Sequence, residues 1–202
     1  NVEKSGALRS EEPFVPAGGV GVAPKFADID LDSFNLSASS LREKISARTK
    51  AVIAVHLFGQ CAALDEISKI CKDRNLLLIE DCAQAIGADF DGKRAGSWGE
   101  YGGFSFYPTK NLGAAGDAGL ITSRNPDNEK TLKSLRHHGS KQTYLHDRVG
   151  WNSRLDELQA AILAGLGFDE AAQALPITAY SGGWRARVAL ARHDGGCADP
   201  RR

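Results

Sequence analysis

Apolar residues along this 202-residue chain fall into two patterns, short unbroken runs and spaced rows. Residues 25–30 alternate apolar with polar, which predicts a strand, while Leu41 and Ile45 have the spacing of a short helix over residues 40–47. Residues 51–58 form a nearly continuous apolar run, typical of a strand covered on both faces. From 63 to 74, Leu64, Ile67, Ile70 and Cys71 share one helical face, with Asp65, Glu66, Lys69, Lys72 and Asp73 elsewhere. Four apolar residues, 76–79, then lead into Glu80 and Asp81, a buried strand that ends in carboxylates. Asp91-Gly92 signals a turn, and the rest of the stretch to Glu100 reads as a surface connection. Downstream, the aromatic run 104–107 predicts a strand stopped by Pro108, 119–123 predicts another strand, and 129–136 predicts a helix. A last helix ends the pattern at Leu163, with Leu155, Leu158 and Ile162 on its inner face.

Strand, helix and strand joined by short connections imply a right-handed βαβ unit and a parallel sheet. Ligands of such sheets bind beyond the carboxyl ends of the strands. Asp81 and His56 fall at such ends, although His56 reads equally well as a histidine satisfied by packing. Lys110 follows the strand stopped by Pro108, on a loop continued by Gly113, Gly116 and Gly119, where the backbone can approach a ligand closely. A loop lysine is usually a solvated charge. Paired with a carboxylate at a strand end, it suits pyridoxal phosphate, which needs an amine at one end and an anion at the other.

Composition narrows the partners. The chain has 25 basic and 25 acidic residues, so no strong field favours nucleic acid or an anionic membrane. No apolar run approaches the roughly 20 residues of a membrane helix, and the polar start lacks a signal-peptide core, which makes the cytoplasm the expected compartment. The four cysteines show no C-x-x-C spacing, and the adjacent His137 and His138 make a poor ligand pair, so no metal is expected. Cys82 is expected to pack as a small apolar group. There is no G-x-G-x-x-G after a first strand and no G-x-x-x-x-G-K-[ST], which argues against a generic nucleotide-binding domain.

Four blocks carry a more specific signal: Val55-His-Leu-Phe-Gly-Gln60, Ile79-Glu-Asp-Cys-Ala-Gln-Ala85, Phe104-Ser-Phe-Tyr-Pro-Thr-Lys-Asn-Leu112 and Gly150-Trp-Asn-Ser-Arg-Leu-Asp-Glu-Leu-Gln-Ala-Ala-Ile-Leu163. In this order they resemble the DegT/DnrJ/StrS sugar aminotransferases. That resemblance implies an α/β fold, the fold-type I, aspartate-aminotransferase-like large domain, with a mainly parallel sheet flanked by helices. It also implies pyridoxal 5′-phosphate as cofactor and transfer of an amino group, from glutamate or another amino acid donor, to a nucleotide-linked keto sugar.

By the same resemblance, Lys110 holds the cofactor and shuttles a proton, Asp81 pairs with the pyridine nitrogen, Ser105 binds the phosphate, and Gln84 lies near the 3-oxygen. Asn152 is expected to reach the cofactor phosphate of a neighbouring subunit, which makes the active unit a homodimer. Arg154 and His56 are the candidates for substrate binding. Some relatives with histidine at the lysine position catalyse dehydration, so Lys110 favours transamination.

The resemblance runs from about residue 14 to 163 and divides the chain into three parts. Residues 1–24 are an irregular start, expected to follow a missing family segment that carries a phosphate loop. Residues 25–163 form the core of the cofactor-binding large domain, incomplete. Residues 164–202 lose the family pattern and read as a tail, out of frame or from a disrupted gene. On that basis the alternative is an inactive fragment, or a non-catalytic regulatory member of the same family.

Overall fold

The computed structural model describes residues 23–142 and 144–165. Most of the irregular start and all of residues 166–202 lie outside them, so the expectations about the missing leader and the out-of-frame tail are not addressed. Two compact units divide the chain, Asn1–Phe104 and Ser105–Arg202.

In the first unit, helix α1 (Ala38–Lys44) is followed by strand β1 (Ala51–Val55), helix α2 (Leu64–Asp73) and strand β2 (Leu77–Asp81). A hairpin comes next, β3 (Asp89–Phe90) and β4 (Lys93–Arg94), and then β5 (Tyr101–Ser105), whose last residue opens the second unit. β1, β2 and β5 lie side by side and parallel, with Val55 opposite Asp81 and Asp81 opposite Gly103. The expected βαβ unit is present.

Alternation explains its packing. Val52 and Ala54 of β1 and Leu78 of β2 point to one face, where Leu41, Leu64, Ile67, Ile70 and Cys71 of the two helices bury them. Fully burying a residue such as Ile67 stabilises the fold by roughly 1.5–3 kcal/mol. Acidic Asp65 and Glu66 at the start of α2 and Lys72 at its end match the helix dipole. The Arg42–Glu66 ion pair across α1 and α2 is half exposed and adds little.

Two strand expectations are corrected here. Residues 25–30 contribute only an isolated bridge between Ile29 and Leu36, because the Asp30 carboxylate captures the backbone N–H groups of Asp32 and Ser33 and turns the chain. The 51–58 run is a strand only to Val55; Phe58 then takes φ 55° within a short 3₁₀ turn, Leu57–Gly59. Nor is β1 covered on both faces in this chain, since Ile53 is exposed. The Asp91-Gly92 turn is as expected, with φ 50° and 70° between β3 and β4.

The second unit holds β6 (Gly119–Ser123), α3 (Asn128–Arg136), the antiparallel pair β7 (Ser140–Gln142) and β8 (Leu145–His146), and α4 (Glu157–Gly165). Among the described residues its buried apolar ones are Phe106, Leu112, Ala114 and Leu163. The inner face expected for the last helix is corrected: Leu155, Leu158 and Ile162 are exposed within this chain, and Leu163 is the residue that packs.

Candidate active site

Each unit holds some of the expected residues, and each set is built by local sequence. Asp81 ends β2 and is half buried. Its Oδ1 accepts the N–H of Ala83 at 3.0 Å, and among the described residues its other oxygen takes no hydrogen bond. Across the ladder stands Gly103, where an added Cβ would meet nothing closer than the Glu80 carbonyl at 4.0 Å. The carboxylate therefore has open space beside it. Gln84 lies just beyond, its Oε1 accepting the Phe58 N–H at 2.9 Å, which leaves its amide nitrogen as a donor.

Glu80 and Asp81 are consecutive strand residues, so they point to opposite faces. Glu80 faces the interior and is fully buried. Its Oε1 accepts from the N–H groups of Trp98 and Gly99, each at 2.7 Å, and its Oε2 from Gly96 N–H at 2.7 Å and His56 Nε2 at 3.0 Å. Burial pushes this carboxyl upward, but the hydrogen bonds from His56, Gly99 and Gly96 outweigh it and hold the group below its ordinary value. His56 is 0% exposed, and its Nδ1 accepts the Ala62 N–H at 3.2 Å. Both ring nitrogens are thus used inside the fold. Direct substrate contact by His56 is corrected accordingly, and its alternative reading as a packed, satisfied histidine is what the structure displays.

His56, Glu80 and Cys82 each bring a potential ligand atom within 4.8 Å of the others. The hydrogen bonds just given already occupy the first two. The Cys82 thiol is pushed well above its usual range by burial and by the Glu80 and Asp81 charges, which keeps it neutral. Cys61 is pushed up to about 11, by burial first and then by the charges of Glu80 and Asp89.

In the second unit, Ser105 Oγ accepts the Tyr107 N–H at 3.3 Å, so its own proton remains available to an acceptor. Lys110 is half buried, and its backbone N–H closes a turn on the Tyr107 carbonyl at 2.8 Å. The loop after it is tightly folded: Ala114 N–H reaches the Phe106 carbonyl, and a Cβ on Gly113 would lie 2.6 Å from the Pro108 carbonyl oxygen. Ala115 N–H donates to Gln159 Oε1 at 2.8 Å, tying the loop to α4. Asn152 and Arg154 are exposed and joined to each other, Arg154 Nε donating to Asn152 Oδ1 at 3.2 Å. Asn152 also bridges His137, beside which His138 takes φ 57°.

A family model described as the DegT/DnrJ/EryC1/StrS aminotransferase family matches residues 16–166. The chain belongs to that family. Among DegT-family relatives, it is 49% identical over 144 residues to a UDP-N-acetyl-3-dehydro-alpha-D-glucosamine 3-aminotransferase of Acidithiobacillus ferrooxidans. The match covers 71% of this chain and 39% of that relative, so the chain spans about two fifths of the relative's length. In three dimensions it is similar to S. venezuelae DesV in complex with a ketimine intermediate (TM-score 0.70, 35% identity, 88% of this chain and 42% of that one). It is also similar to NtdA of Bacillus subtilis, whose structure has the bound cofactor PMP (TM-score 0.64, 32% identity, 73% and 33%). The fold is that of the fold-type I aminotransferases.

The donors present fit such a cofactor. Asp81 offers an acceptor with room beside it, Ser105 a hydroxyl proton, and Gln84 an amide N–H, the chemistries that suit a ring N–H, a phosphate and a phenolate oxygen respectively.

Proposed function

We propose that this chain carries the cofactor-holding part of an aminotransferase that uses pyridoxal 5′-phosphate to aminate a nucleotide-linked keto sugar, with an amino acid, glutamate by expectation, as donor. The observation that carries this reading is the open, half-buried Asp81 carboxylate at the carboxyl end of β2, in a chain whose family motif also retains Lys110. Bound there, the cofactor supplies an electron sink for the carbanion that amino transfer passes through.

Lys110 would hold the cofactor through Nζ, and its amine would serve as the base for the donor's α-proton. Asp81 would accept the ring N–H and so favour the protonated form of that nitrogen. Ser105 donates to the phosphate and Gln84 to the 3-oxygen. Asn152 and Arg154 serve a neighbouring copy, Asn152 at the phosphate and Arg154 at a substrate anion. The working form is a homodimer, a reading supported by the exposure of Val149, Trp151 and Leu158 around these two residues. Among the described residues no helix is long and apolar enough to cross a membrane, and the cytoplasm is the compartment we propose.

Adding pyridoxal phosphate to the purified chain tests the core of this reading. The parent should show a visible absorbance band that borohydride removes, and Lys110→Ala should not. A folded parent with no band would overturn it.

A further inference from the structure

We infer that Glu80 and His56 are positioning residues, a buried pair that clamps the end of β2 and the loops beside it so that Asp81 and Gln84 face a bound cofactor. The inference rests on the reading above and deepens it.

Position comes first. Glu80 precedes Asp81, so whatever fixes its carboxylate fixes the strand end from which Asp81 projects on the other face. Its four hydrogen bonds reach Gly96, Trp98 and Gly99 on one segment and His56 on another. Every lone-pair direction of this carboxylate is used, which makes it a hub rather than a ligand for an ion. Gly99 shows how closely that segment is drawn in: a Cβ there would lie 2.5 Å from the Leu78 carbonyl oxygen.

His56 extends the clamp. Because Nδ1 accepts from Ala62 N–H, the proton on Nε2 is the one donated to Glu80, so the orientation of the ring is fixed. Between His56 and Ala62 runs a turn that holds Phe58 at φ 55°, a conformation bulky residues rarely adopt. Three side-chain contacts brace this turn. Asn35 Oδ1 accepts Leu57 N–H at 2.8 Å, Asn35 Nδ2 donates to the Gln60 carbonyl at 3.0 Å, and Phe58 N–H donates to Gln84 Oε1. The last bond decides which end of the Gln84 amide is left to meet a ligand. Releasing His56 would let the turn relax and Gln84 rotate, changing the donor offered to the 3-oxygen.

A merely structural pair would affect melting alone. A positioning pair would also move the pH at which the visible band of the lysine-bound cofactor changes, since Asp81 and Gln84 set that ring's electronics. The test uses the full chain with Glu80→Gln, His56→Ala and His56→Asn, read by circular dichroism, pyridoxal phosphate affinity and the pH midpoint of the band. We expect Glu80→Gln and His56→Ala to weaken affinity on the order of 10-fold, as outer partners of a bound group do elsewhere, and to displace the midpoint. His56→Asn, whose amide oxygen can still take the Ala62 N–H, should recover part of both. If Glu80→Gln does not fold, the two His56 variants carry the test. Folded variants with the parent's affinity and midpoint would overturn this inference alone, whereas a parent without any band would overturn the proposed function and this inference together.

Discussion

Glu80 is the residue at which the sequence said more than its motif suggested. The resemblance selects Asp81, yet period-two alternation places Glu80 on the face of Leu78, in the core, where a carboxylate persists only with several donors. Those donors, Gly96, Trp98 and Gly99, lie on a stretch that reads as a surface connection, so nothing local announces them. The stability consequence has a definite sign. With the folded carboxyl held below its ordinary value of 4.5, the stabilisation is fully present above that pH and is lost as pH falls through the folded value. Glu80→Gln leaves one end of the group unable to accept, which should cost about 1–3 kcal/mol near neutrality, and urea denaturation should show the gap from the parent closing on acidification. At the same scale, Cys61 and Cys82 should resist alkylation near neutral pH in the folded chain, because burial and neighbouring acids keep both thiols protonated; rapid labelling by iodoacetamide before unfolding would contradict this.

Among elements, legibility followed how much of the driving force was local. α2 and β6 are found where periodicity puts them, since Leu64, Ile67 and Ile70 bury one stripe and Gly119–Ser123 is a bounded β-prone run. Residues 25–30 alternate like a strand, but the Asp30 side chain competes successfully for the backbone donors a ladder would need. β1 stops short because a left-handed phenylalanine is fixed by Asn35 and Gln84, partners some 20 or more positions away that no window of sequence reveals. Of the candidate site, strand-end Asp81 and loop Lys110 were legible from pattern, whereas Gln84, Ser105 and Asn152 came only with the resemblance. Tight loop geometry gives a further prediction. Gly139 has φ 71°, and a Cβ there would fall 1.8 Å from the Arg148 carbonyl oxygen, so Gly139→Ala must displace the segment leading to Asn152. Backbone strain of this kind costs of order 1–3 kcal/mol, which a thermal melt should show as a lowered midpoint.

For the molecule as a whole, the apolar surface left uncovered matters most. Leu158 is 78% exposed, on a helix whose hydrophobic spacing predicts burial, and Val149 upstream of it is 85% exposed. Periodicity identifies a face that wants cover without naming what covers it. We expect the chain to self-associate, with sedimentation and melting midpoint both depending on concentration, and Leu158→Arg to reduce that dependence while leaving far-ultraviolet dichroism unchanged. A concentration-independent monomer would contradict the homodimer reading. Gly103, by contrast, is a position where nothing crowds, beside the carboxylate proposed to meet the cofactor. A valine there would keep the β2–β5 ladder, suit a strand by its branching, and fill the space beside Asp81. Such a chain should melt like its parent yet stay colourless when pyridoxal phosphate is added, a blank sharing the parent's shape and lysine and lacking only the vacancy.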